Sequence, residues 1–145
     1  MTIEEIKAKL KRYRFIAGEI SDLLDERERL RSLVEKVTPS LSHAPVHGCN
    51  SDKMAGSIAN IVELEKYIER KSSELLRARM EAERLIDRLQ DERHRAVLKS
   101  YYFSRRTWEE CCVSTNYSWR QVHNIHGEAL KAIKECIELH PQPLI

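Results

Sequence analysis

The sequence predicts an all-α protein, built as a long antiparallel helical hairpin of the coiled-coil kind followed by a C-terminal helix-turn-helix. Three observations carry that expectation. Apolar residues recur at alternating three- and four-residue steps over long stretches, the spacing of one helix face. Only four glycines, four prolines and two phenylalanines occur in 145 residues, which leaves a β-fold short of turn and strand formers. Two helix-start signatures, at Thr107 and Ser118, stand eleven residues apart near the C-terminal end. A composition of 41% hydrophobic and 33% charged residues is the balance of a soluble helical chain of one domain or one domain with an extension.

Residues 2 to 37 form the first element. Ile3, Ile6, Leu10, Tyr13, Ala17, Ile20 and Leu24 make a heptad seam that frays at Arg27 and Arg31 and recovers at Val34. At 1.5 Å per residue such a helix is about 54 Å long, too long for a compact domain of this size without a partner helix. Thr38 to Asn50 contains Pro39, Pro45 and Gly48 and reads as a loop. Ser51 or Asp52 then caps a second long helix running to about Leu89, with Ile58, Ile61, Leu64, Ile68, Leu75, Leu85, Ile86 and Leu89 on its apolar side. Folded back on each other, the two helices form a hairpin over 1–89. Two helices bury one stripe each, so the hairpin is expected to pair with a second copy as a four-helix bundle or coiled coil and to serve as a dimerisation region.

Residues 90–145 form the second region. A helix from about Asp91 to Phe103 offers Ala96, Val97 and Tyr101 as inward candidates, and Arg93, Arg95, Lys99, Arg105 and Arg106 gather just before the next element. Net charge says little about partners, since residues 1–89 hold 17 basic and 16 acidic side chains and residues 90–145 hold 8 and 7.

The stretch Thr107 to Leu130 organises the rest. Thr107 is followed three residues later by Glu110, and Ser118 three residues later by Gln121, so each short helix is expected to open with a capping box. Asn116 stands where the chain must reverse, and asparagine tolerates the positive φ of a helix end. In the second helix Val122, Ile125, Ala129, Leu130 and Ile133 share one face, leaving Trp119, Arg120, His123 and Asn124 on the other. From Ser114 to Gly127 there is no Asp or Glu, so the outer face meets phosphate without local repulsion. Arginine can grip guanine bidentately, asparagine and glutamine can grip adenine, and a serine cap can hold a phosphate. Ser118, Trp119, Arg120, Gln121, His123 and Asn124 are therefore the candidate contacts to double-stranded DNA, with Arg105, Arg106 and Thr107 as backbone contacts.

Asp91 to Ile133, and above all VLKSYYFSRRTWEECC followed by YSWRQVHNIHGEALKAI, resembles the helix-turn-helix of sigma-factor region 4. It resembles still more closely the phage and prophage regulators of the ArpU and RinA type. Pro45, Gly48 and NSDKM at 50–54, leading into a charged helix, are similar to an uncharacterised phage family with the same tail. The resemblance implies a cytoplasmic, DNA-binding transcription regulator encoded by a phage or an integrated element. This chain has Cys111 and Cys112 where such families commonly have an apolar residue and then Ala, and Asn116 where many have Gly.

Other chemistries find less support. No phosphate-binding loop, nucleophile elbow or dinucleotide fingerprint occurs, so the chain is not expected to be an enzyme or to carry a cofactor. Cys111 and Cys112 point about 100° apart on a helix, and His123 with His126 lacks further ligands. His43, His47, Cys49 and Asp52 lack any standard zinc spacing, so no metal site is assigned. No apolar run spans a membrane, and Met1 to Phe15 lacks the apolar core of a secretion signal, so the four cysteines are expected as reduced thiols in the cytoplasm. Two further readings keep the same elements: a small terminase-like subunit that recognises DNA for packaging, and a coiled-coil interaction module that binds host RNA polymerase.

Overall fold

In a computed structural model the backbone is described over residues 1–41 and 49–141, and side chains over 1–36 and 55–141. Every element among them is helical: α1 (Ile3–Leu41), α2 (Cys49–Ile86), α3 (Glu92–Leu98), α4 (Trp108–Thr115) and α5 (Trp119–Leu139). Helix α3 runs on into a π-helical turn, Lys99–Phe103. No helix among the described residues is long and apolar enough to cross a membrane.

The boundaries differ from expectation in three places. Helix α1 continues through Pro39 to Leu41, and α2 begins at Cys49, ahead of Ser51 and Asp52. A proline in the last turn forfeits one backbone hydrogen bond in a ladder that ends two residues later, so the helix can pass it. The rest of the expected loop, 42–48 with His43, Pro45, His47 and Gly48, lies outside the described residues, as do the side chains of Cys49 and Asp52. Helix α2 stops at Ile86, where Leu89 N–H donates to Ile86 O at 3.0 Å and closes a tighter turn.

By packing the chain divides into residues 17–74 and a second unit made of 1–16 with 75–145. In 17–74, α1 and α2 exchange charges in opposite directions along their lengths. Lys71 lies 3.3 Å from Glu19, and Arg31 pairs with Glu65. Apolar burial is thin here, with Ile20 and Ile68 the buried hydrophobic residues described. Leu24, Leu33, Ile58 and Val62 are exposed, although Leu24 and Ile58 belong to the expected apolar sides.

The unit of 1–16 with 75–145 holds a real core. Ile6, Leu10, Tyr13 and Ile16 from α1, together with Ala78, Ala82, Leu85 and Ile86 from α2, are buried. So are Val97, Leu98, Tyr102, Cys111, Val122, Ile125, Ala129, Leu130 and Ile133. Of the α3 residues expected inside, Val97 is fully buried, whereas Ala96 is exposed and its place is taken by Leu98. The five inward residues expected on α5 are all buried.

The π turn sets the rings of this core. Ser104 N–H reaches back five residues to Lys99 O at 2.9 Å, and the wider turn carries Tyr101 and Tyr102 as neighbouring rings 4.9 Å apart. Tyr102, with no exposed surface, meets His126 of α5 through a hydrogen bond between its hydroxyl and Nε2 at 2.8 Å. Burial pushes the Tyr102 hydroxyl up in pKa, and burial, helped by Lys7, His123 and Lys11, pushes His126 down to about 4. His126 is therefore a neutral hydrogen-bonding core residue at neutral pH.

That shift makes the core acid-sensitive. Between about pH 6.5 and pH 4 the unfolded chain holds the His126 proton and the folded chain does not, so this contribution is complete above the window and falls as pH drops through it. Its full size is on the order of 3 kcal/mol. Thermal unfolding from pH 7 to pH 4 should show the loss, and a Tyr102→Phe/His126→Leu variant, which removes both polar partners together, should show a flatter pH profile over that range.

Candidate functional site

Local chemistry places α4 and α5. Thr107 stands in extended backbone ahead of α4, and its Oγ1 accepts from Glu110 N–H at 3.2 Å. Here the capping box is only half formed: the Glu110 carboxylate accepts from the Thr107 hydroxyl at 3.2 Å rather than from the Thr107 backbone N–H. Ser118 builds the complete box before α5. Its Oγ accepts from Gln121 N–H at 3.2 Å, and Gln121 Oε1 accepts from Ser118 N–H at 2.9 Å. Between them Asn116 takes the left-handed conformation, φ 60°, ψ 26°, ending α4 and reversing the chain within three residues.

The three elements share a small core of Val97, Cys111, Val122 and Ile125, against which Tyr101, Trp108, Cys112 and Tyr117 pack. Cys111 thereby fills an apolar position, and Cys111, Cys112 and Cys136 are free thiols. Opposite this core the start of α5 is presented outward. Ser118, Arg120, Gln121 and Asn124 are exposed, and Trp119 keeps 51% of its surface. The Ser118 oxygen serves the cap while its O–H stays free to donate, and Gln121 keeps its amide N–H groups with its carbonyl engaged.

His123 is set differently from its neighbours on that face. Its ring is wedged between Trp119 at 4.5 Å and Trp108 at 4.6 Å, half-buried, with Nε2 shielded and without a hydrogen-bond partner. The ring acts as packing beneath Trp119. Trp108 in turn lies flat on Tyr101, with centroids 3.8 Å apart and planes within 10°. A continuous row of rings thus backs the exposed indole.

The cations ahead of α4 split into two groups. Arg93 is held by Asp91, whose carboxylate accepts from both its side chain and its backbone N–H. Those bonds, the side-chain one first, pull Asp91 down to about 2. Arg95 donates to Leu89 O, and Arg106, half-buried, donates to Ser100 Oγ at 3.2 Å. Lys99 and Arg105 are exposed. Arg105 adopts φ 53°, a left-handed backbone that costs a non-glycine residue roughly 1–2 kcal/mol and needs support from its surroundings.

Arg14 was not legible in the sequence as part of this site. From α1 it donates Nε–H to Tyr101 O at 3.1 Å and Nη2–H to Arg106 O at 3.3 Å, and its guanidinium lies 4.3 Å from the Tyr101 ring centre. The separation of 87 residues along the chain left no local signal for it. Nor was the Tyr102–His126 bond legible, because the π turn that aims Tyr102 inward has no residue signature.

The turn lends itself to a direct check. Asn116→Gly should leave stability unchanged or raise it slightly. A β-branched Asn116→Val should cost roughly 1–2 kcal/mol, and Ser118→Ala roughly 1 kcal/mol, in chemical denaturation.

No curated protein and no solved structure matches the chain. A family profile matches residues 35–134, from the later turns of α1 through most of α5. The match covers more than half of the sequence, and the chain belongs to this family, described as proteins of unknown function (DUF1492).

Proposed function

We propose that the chain is a sequence-specific DNA-binding transcription regulator of phage or prophage origin, in which α4, the Asn116 turn and α5 act as a helix-turn-helix. One observation carries this reading. The exposed start of α5 presents Ser118, Arg120, Gln121 and Asn124 from a fully capped helix end, free of acidic residues from Ser114 to Gly127. Such a helix end can enter a major groove with its donors on base edges and its cap on a phosphate. Arg120 and Asn124, one turn apart, are the base readers of this reading, and Trp119 packs on sugar or a thymine methyl. Lys99 and Arg105 hold the backbone.

Gene regulation and a phage origin enter through the resemblance of Asp91 to Ile133 to phage regulators and sigma-factor region 4. In this proposal α1 and α2 form an antiparallel hairpin that pairs with a second copy. The opposed Glu19–Lys71 and Arg31–Glu65 pairs support the hairpin. The thin apolar burial among the described residues of 17–74 supports a second copy, since a two-helix unit with so thin a core gains one by association. Half-sites for a two-fold dimer would then lie about 34 Å apart, or a multiple of that.

Titration of wild type and Arg120→Ala against duplex DNA tests the assignment. The variant should lose roughly 1–3 kcal/mol on the preferred site and discriminate less at one base pair. Affinity should fall linearly with salt on a log–log plot, with a slope set by the phosphates neutralised. Equal binding by both proteins at every sequence would remove Arg120 from the readout, and salt-independent binding would argue against a phosphate interface.

A further inference from the structure

We infer that Arg14 is a positioning residue for the turn ahead of α4, holding Arg105 out toward the DNA backbone. The inference rests on the DNA-binding reading above. Its basis is one guanidinium spanning one strained turn. The two carbonyls that Arg14 grips, Tyr101 O and Arg106 O, lie on either side of Arg105, the residue forced to φ 53°. The face of the same guanidinium covers Tyr101, and the other side of that ring carries Trp108, the first residue of α4.

Other bonds tie the turn to the two helices that flank it, with Thr107 capping α4. Arg106 N–H donates to Ser100 O at 3.3 Å and its guanidinium to Ser100 Oγ, while Ser100 Oγ meets Ser114 Oγ at 3.1 Å. Arg14 adds the tie to α1. A planar fork with donors at fixed spacing suits two carbonyls at once, whereas an ammonium offers a point charge without that geometry. Because carbonyls leave the positive charge uncompensated, Arg14 also adds to the potential that a phosphate meets at Arg105. Arg14 lies upstream of the family match at 35–134, so a segment outside the matched region sets a contact inside the proposed DNA interface.

Two measurements on the full chain test this, using Arg14→Met, which keeps an apolar stem, and Arg14→Lys, which keeps the charge. Limited trypsin digestion read by mass spectrometry gives the rate of cleavage after Arg105 and Arg106 relative to cleavage after Lys131 in α5. Arg14→Met should raise that ratio by roughly tenfold or more, with a smaller rise for Arg14→Lys. Cleavage at all sites speeding up together, or an unchanged ratio, would overturn the positioning role. Binding to random-sequence duplex at low salt gives the second readout. Arg14→Met should weaken it severalfold in the wild-type background and much less in Arg105→Ala, because one residue acts through the other. Equal losses in both backgrounds would contradict the link to Arg105. A wild-type chain that binds no duplex would remove the DNA reading and Arg105's task with it, while the trypsin ratio still decides whether Arg14 holds the turn.

Discussion

The geometry of the candidate site depends on the hydrogen bond between Tyr102 and His126, made in the core with Tyr102 fully buried and His126 almost so. A buried hydroxyl and a buried imidazole each cost free energy unless they find a partner, so the bond fixes the π turn against the middle of α5. With that distance set, Tyr101 falls beside Trp108, Trp108 beside His123, and His123 beneath Trp119. The row of rings runs from the core to the exposed end of α5. Arg14 closes its other end from α1. What reaches solvent at Trp119, Arg120 and Asn124 is thus backed by packed rings, and the proposed reading of base edges calls for such backing, since a misplaced donor loses its bond.

Much of this was legible in the sequence wherever the determinant is local. Ser118 with Gln121, and Asn116 at the reversal, behave as their side-chain chemistry dictates, because a cap or a left-handed turn is decided within four residues. The apolar spacing of α5 gave its buried face directly, since α5 packs along most of its length on one side. The seam of α1 was legible at Ile6, Leu10, Tyr13 and Ile20, while Ile16, one turn beyond Tyr13, is buried as well. Leu24 shows the limit of periodicity: its spacing is right, but burial requires neighbours, and the polar stretch around Arg27 supplies few.

What stayed illegible depends on distant partners. Leu98 and Tyr102, four residues apart, fill the core in the place expected for Ala96, and the π turn, which periodicity cannot foresee, divides what reads as one longer helix. A cation count cannot tell which arginines are already engaged. Arg93, Arg95 and Arg106 are bonded within the fold, leaving Lys99 and Arg105 outward, and Arg14 comes from the far end of the chain. A boundary at 89/90 follows chain punctuation, between the end of α2 at Ile86 and the Asp91 cap of α3. Packing groups the first turns of α1 and the last turns of α2 with the C-terminal helices, because Tyr13 meets Phe103 edge-on at 5.1 Å and Arg79 caps both rings.

The central claim is that the outward start of α5 reads DNA sequence, and selection from a pool of random duplexes with the purified full-length protein tests it most directly. The account predicts an enriched motif, recurring as two half-sites at fixed spacing if two copies bind together. A folded protein that enriches no sequence, even at low salt, would contradict it.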